Sequence, residues 1–171
     1  MALAAASLLL ASPAPVAAQS PEGCAPSGTG SLLVYGHGIE PRRFEAEELR
    51  ASTWDSVMER GHDGVMHRYA GVRLDTLLIR AGVLDEGHPR GGRLLEYLVA
   101  EAADGYAVVL ALPEVHPAYT ERRVIVAHTV DGEALEAEAG PLQLVVEGDL
   151  RHGRWVRQLA CVRVARAEGA E

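Results

Sequence analysis

The sequence predicts an α+β domain rich in strands, and three observations predict it. Asp-Gly pairs stand at 63–64, 104–105 and 131–132, each between runs of strand-forming residues, the short-range signature of tight hairpin turns. Only two segments carry helical spacing. The chain has 171 residues, 48% of them hydrophobic, so one domain can build a core of its own and no second domain is needed.

The elements follow in order. The start, "MALAAASLLLASPAPVAAQ", has an apolar run from Leu3 to Leu10 and small residues at Val16, Ala17 and Ala18. That layout predicts a signal peptide over 1–18, too short to span a bilayer, although no basic residue precedes Arg42. The expectation is a periplasmic or secreted protein with no membrane insertion after signal removal. Residues 19–30 are rich in Ser, Pro and Gly and read as a flexible leader, and 31–166 read as the domain.

Within that domain "SLLVYG" begins the order, and "RFEAEELRAS", with Phe44 and Leu49 among glutamates, reads as a short helix. "TWDSVMER" and "VMHRYAG" flank the first Asp-Gly turn as a hairpin. "VRLDTLLIRAGV" sets Leu74, Leu77, Leu78 and Ala81 on one face, the period of an amphipathic helix, and Gly82 stops it. "LLEYLVAEA" and "YAVVLALP" form a second hairpin, "RRVIVAHTV" runs into the third turn, and "PLQLVVEG" and "WVRQLACVRV" supply the last strands.

The formal net charge of -8 excludes wholesale binding to nucleic acid or to anionic lipid, both of which need a broad basic field. Any anion site is therefore local. All 16 basic side chains are arginine. Cys24 and Cys161 can pair in an oxidising compartment, where so long a loop stabilises by roughly 4 to 5 kcal/mol in the chain-entropy model. Otherwise Cys161 is a small buried hydrophobe and Cys24 is idle.

Familiar chemistry is sparse. The seven histidines form no HExxH or Cys/His cluster, so no metal site is predicted. A Gly-x-Ser-x-Gly elbow, a phosphate loop, a Cys-x-x-Cys-His run and a dinucleotide fingerprint are all missing, and with them any haem, flavin or NAD signal. What stands out is "DLRHGRWVRQ". Arg151, Arg154 and Arg157 are planar, permanently charged donors suited to a phosphate, and Trp155 offers a ring for a heterocycle to stack on. The plainer reading is a charged turn around a half-buried Trp.

In succession, "YAGVRLDTLLIRAGV", "EAADGYAVVLALPEV", "RRVIVAHTVDGEAL", "GPLQLVVEGD" and "RWVRQL" resemble the oxidoreductase molybdopterin-binding domain of sulfite oxidases and periplasmic methionine-sulfoxide reductase subunits, from about Leu32 to Val164. The resemblance implies a strand-rich mixed α+β fold and a pterin dithiolene cofactor carrying molybdenum, its phosphate gripped by basic residues. The family's Lys-Trp-Leu corresponds to Arg154-Trp155-Val156, so Arg151, His152, Gly153, Arg154 and Trp155 would line the pterin side of the pocket. The implied activity is oxygen-atom and electron-pair transfer, with a separate redox partner. One departure matters. The family's molybdenum-binding cysteine falls within "MERGHDGVMH", which has none, and neither Cys24 nor Cys161 takes its place. The alternative is a non-catalytic module that keeps the fold and binds a small anionic ligand or a partner protein.

Overall fold

The computed structural model describes residues 24, 30–52, 54–85 and 87–168; the expected signal peptide and nearly all of the leader lie outside them. The elements are β1 (Leu32–Gly36), β2 (Arg42–Phe44), α1 (Ala46–Ala51), β3 (Asp55–Arg60), β4 (Met66–Arg73), α2 (Leu74–Arg80), β5 (Glu96–Ala102), β6 (Ala107–Ala111), β7 (Val124–Val130), β8 (Glu133–Ala134), β9 (Gln143–Val146) and β10 (Leu159–Arg166). The three Asp-Gly pairs fall between β3 and β4, β5 and β6, and β7 and β8. The amphipathic period becomes α2, whose Leu74, Leu77 and Leu78 are fully buried. One expectation needs correction: the predicted first helix begins later, because Phe44 pairs with Leu32 in β2 before α1 starts. Three residues cannot hold a strand locally, and β1 supplies the hydrogen bonds.

The strands form two sheets. The first has the order β2-β1-β10-β5-β6, in which β1 and β10 run parallel and the other pairs antiparallel. The second has the order β3-β4-β7-β8, with β9 also paired to β7. Alternation along β1 buries Leu32 and Val34 in the main core, where they join Leu98, Leu110 and Val162 of their own sheet and Val57, Val72, Ile125 and Leu144 of the other. The opposite side of β1 and β10 carries a smaller cluster of Leu33, Tyr35, Ala160 and Cys161.

In the second sheet β4 and β7 approach closely, and the β3 edge is bonded to the turn after β9. Gly71 lies where β4 meets β7, and a Cβ there would stand 2.0 Å from the Val126 carbonyl oxygen, so only glycine permits the approach. The register of this pair shifts between Ala70 and Gly71. Arg123, just before β7, donates to the Ser56 carbonyl on β3 at 2.8 Å and to Glu147 after β9 at 3.0 Å. Glu59 of β3 accepts from the Gly148 N–H at 2.6 Å. These bonds join the β3 edge to the turn after β9.

Cys24 and Cys161 form a disulfide, with Cα atoms 5.8 Å apart across a sequence separation of 137 residues. This decides between the two readings of the cysteines. Cys161 is fully buried in the smaller cluster, with Cys24 against it. Among the described residues no helix is long and apolar enough to cross a membrane.

Candidate functional site

The turn between β9 and β10 holds the five residues singled out in the sequence, and the fold sends them in different directions. Arg154 donates from Nε and Nη2 to the Asp149 carboxylate at 2.9 and 2.6 Å, and from Nη1 to Glu114 at 2.9 Å. The bidentate pair with Asp149 raises its pKa further, so this cation is permanent and internally balanced. Trp155 is 4% exposed; its indole N–H donates to the Val146 carbonyl at 3.2 Å. The Gly153 carbonyl accepts from the Tyr106 hydroxyl at 2.5 Å. Arg151 is exposed. His152 is stacked on Trp155 with ring centroids 4.1 Å apart.

Arg154 borders one cleft of about 330 Å³, together with Glu114, Tyr119 and Arg122. A second, of about 340 Å³, opens at the far end of the turn, where Arg157 meets Gly61, His62, Asp63, His67, Tyr69 and Asp131. It is the one with unspent chemistry. Arg157 is exposed and, among the described residues, makes no hydrogen bond or ion pair.

A series of rings runs behind this second cleft, of which His62, Tyr69 and His67 line it. His62 meets His152 edge-on at 4.6 Å, His152 stacks on Trp155, Trp155 meets Tyr69 edge-on at 5.1 Å, and Tyr69 lies 6.3 Å from His67. Burial lowers the pKa of His62, with Arg157 and His152 adding to the shift, so its imidazole favours the neutral form. Burial raises that of Tyr69, helped by Asp63 and Asp131, and keeps the phenol protonated.

His67 has the opposite environment. Its Nδ1 lies 2.6 Å from Asp131 Oδ2, and its Nε2 lies 3.0 and 3.2 Å from the two oxygens of Asp63. Carboxylates only accept, so the doubly protonated ring satisfies both. The hydrogen bond to Asp131 first, and that to Asp63 second, raise its pKa. Gly61 makes room, since a Cβ there would approach the His67 ring to 2.8 Å.

Sequence reading identified the turn but not its chemistry. It placed Tyr69 in a family motif, treated His67 as an ordinary histidine and named Arg157 without separating it from Arg154. The signal for His67 was its distance of four residues from Asp63 across a turn. For Asp131, 64 residues away from His67, there was none.

A model of the oxidoreductase molybdopterin-binding domain family matches residues 32–170, most of the chain. The chain belongs to this family. Its fold is that of the sulfite-oxidase type: the sulfane dehydrogenase SoxCD from Paracoccus pantotrophus superposes with a TM-score of 0.61 at 23% identity, over 81% of this chain and 39% of that one. The chain thus spans about two fifths of that solved neighbour. No curated protein matches the sequence.

The family's cofactor can be tested against the groups present. Molybdenum of this kind is held by soft sulfur, and both cysteines are joined to each other in the smaller cluster, away from the cleft. The cleft offers only nitrogen and oxygen donors. Among the described residues no group of three or more His, Cys, Asp or Glu side chains is placed to hold a metal ion. These residues do not fit a thiolate-ligated molybdenum centre. An anionic group alone would meet a different reception, from Arg157 with His62 beside it.

Proposed function

We propose that this protein is an exported, non-catalytic member of the molybdopterin-binding domain family that binds a small anion, a pterin phosphate included, in the cleft headed by Arg157. The observation that carries the reading is the disulfide between Cys24 and Cys161. It consumes both thiols of the chain, and the cleft is left with the Arg157 cation, the imidazoles of His62 and His67 and the Tyr69 phenol beside the carboxylates of Asp63, Asp131 and Glu136. A cation, an imidazole and a phenol hold and orient an anion by charge and hydrogen bonding. Oxygen-atom transfer needs a redox centre, which these side chains do not form. Export is supported by the same disulfide, which persists in oxidising compartments, and by the signal-like start.

The second reading, a molybdopterin-dependent oxidoreductase working with a separate redox partner, is favoured by family membership and by the fold shared with a sulfane dehydrogenase. One experiment divides the two. Protein purified from the periplasm of a host that makes the cofactor is assayed for molybdenum by elemental analysis and for pterin by fluorescence after acid oxidation. Sulfate binding to the same sample is followed by NMR. We expect no stoichiometric molybdenum, and a sulfate response that Arg157→Gln removes. Stoichiometric metal with pterin would overturn the non-catalytic reading.

A further inference from the structure

His67 lies on β4 between two turns at one end of the second sheet. Asp63 belongs to the β3–β4 turn and Asp131 to the β7–β8 turn, and the imidazole reaches both. Asp63 also accepts from the Val65 N–H at 2.9 Å, while Asp131 accepts from the Arg68 N–H at 2.8 Å and holds a positive φ of 52°. His62, adjacent to Asp63, forms part of the cleft wall. Whatever holds Asp63 therefore helps to hold His62 against His152, on the cleft that Arg157 also lines.

We propose that His67 is a proton-controlled strut which fixes the Gly61–Val65 side of the anion cleft when doubly protonated and loosens it when neutral. This rests on the anion-binding reading given above and names the regulation of that same site. The two contacts are unequal. A neutral ring keeps one N–H, and the shorter Nδ1 contact to Asp131 retains it. The Nε2 lone pair then confronts the Asp63 carboxylate, and that contact opens. Asp131 stays anchored by Arg68, whereas the Gly61–Val65 turn loses one of its ties and keeps the bond of Arg60 to the Gly64 carbonyl and its own backbone bonds.

Other charged groups surround the ring. Glu59 sits opposite His67 in the strand register, Arg68 follows it on β4, and Arg157, His62, Tyr69 and Glu136 line the same cleft. Glu59 is occupied by the Gly148 N–H. Arg157 makes no hydrogen bond or ion pair to the ring, whose partners are Asp63 and Asp131.

The sign follows from linkage. The folded state raises the His67 pKa, so the strut's contribution is complete below the unfolded imidazole value of about 6.5 and is lost as pH rises through the raised folded value. Asp63 and Asp131 are lowered, Asp63 mainly by the Val65 N–H and Asp131 mainly by the Arg68 N–H, so their contribution is present above about 3.9 and lost on acidification. The strut is tight in the window between.

The test uses the full disulfide-bonded protein. Amide exchange of Gly61, Gly64 and Val65, corrected for its intrinsic pH dependence, is compared with the NMR titration of the His67 ring. We expect protection to fall about threefold as pH rises, with the midpoint of the ring titration. Asp131→Asn, which tolerates the positive φ and keeps an acceptor for Arg68, should move both midpoints down together. His67→Gln should give one level at every pH. In parallel, sulfate, whose charge is constant over this range, is titrated into the native protein and the His67→Gln variant. Affinity should fall about threefold more steeply with pH in the native protein, since every other group of the cleft is common to both. A flat exchange profile, or parallel sulfate profiles, overturns the strut. PH-dependent exchange with no sulfate binding at any pH overturns the anion reading instead and leaves the strut's mechanical half standing.

Discussion

Two arginines three residues apart on one turn have opposite surroundings. Arg154 is gripped by Asp149 and Glu114 next to a Trp that is part of the core. Arg157 stands over a cleft with no partner among the described residues. In the sequence they are equivalent cations flanking one aromatic residue. The difference teaches that a cation in a turn motif is available to a ligand only where the fold does not pair it with its own carboxylates. Asp149 is 10% exposed at its side chain, and so close a carboxylate outcompetes any dilute ligand for Arg154.

The comparison breaks first at Trp155. Trp155→Ala should destabilise the protein by about 3–5 kcal/mol in denaturant unfolding, because it opens a cavity in the main core and leaves the Val146 carbonyl without its donor. A loss below about 1 kcal/mol would mean that the ring is not structural, and the two arginines would no longer differ in kind. Next is Cys24→Ser, which should cost about 2–5 kcal/mol under oxidising conditions while leaving sulfate binding at Arg157 unchanged. If the cleft loses affinity as well, the disulfide cluster and the cleft are coupled across the first sheet.

Arg154→Gln should cost about 1–3 kcal/mol, at the lower end because the side chain is 31% exposed and Arg122 remains near Asp149. Differential scanning calorimetry would show it as a lowered Tm with sulfate binding retained. Arg157→Gln sharpens the contrast from the other side. Its unfolding free energy should stay within about 0.5 kcal/mol of the native value, while sulfate affinity falls about tenfold or more. Equal stability losses for the two substitutions would erase the distinction.

Much of the fold was legible locally. The three Asp-Gly pairs marked hairpins because a tight turn between twisted strands needs residues that accept positive φ, and Asp131 does so at 52°. The α2 period was readable because Leu74, Leu77 and Leu78 lie on one face whatever they pack against. β2 was missed because its three residues owe their conformation to β1. The family resemblance added the order of the pieces, and the matching family model covers the same region.

Alone, the sequence determined the turns, the amphipathic helix, the alternating strands, the local concentration of arginine and the missing metal-binding cysteine. Each of these is written in residues a few positions apart, where backbone geometry and side-chain period act directly. Tertiary structure decided which arginine is neutralised, that Cys24 meets Cys161 across 137 residues, and that Asp63 and Asp131 converge on His67. Those outcomes depend on the parallel pairing of β1 with β10 and on the bonding of the β3 edge to the turn after β9. Both are set by burial of the whole core, a property that no short stretch of chain contains.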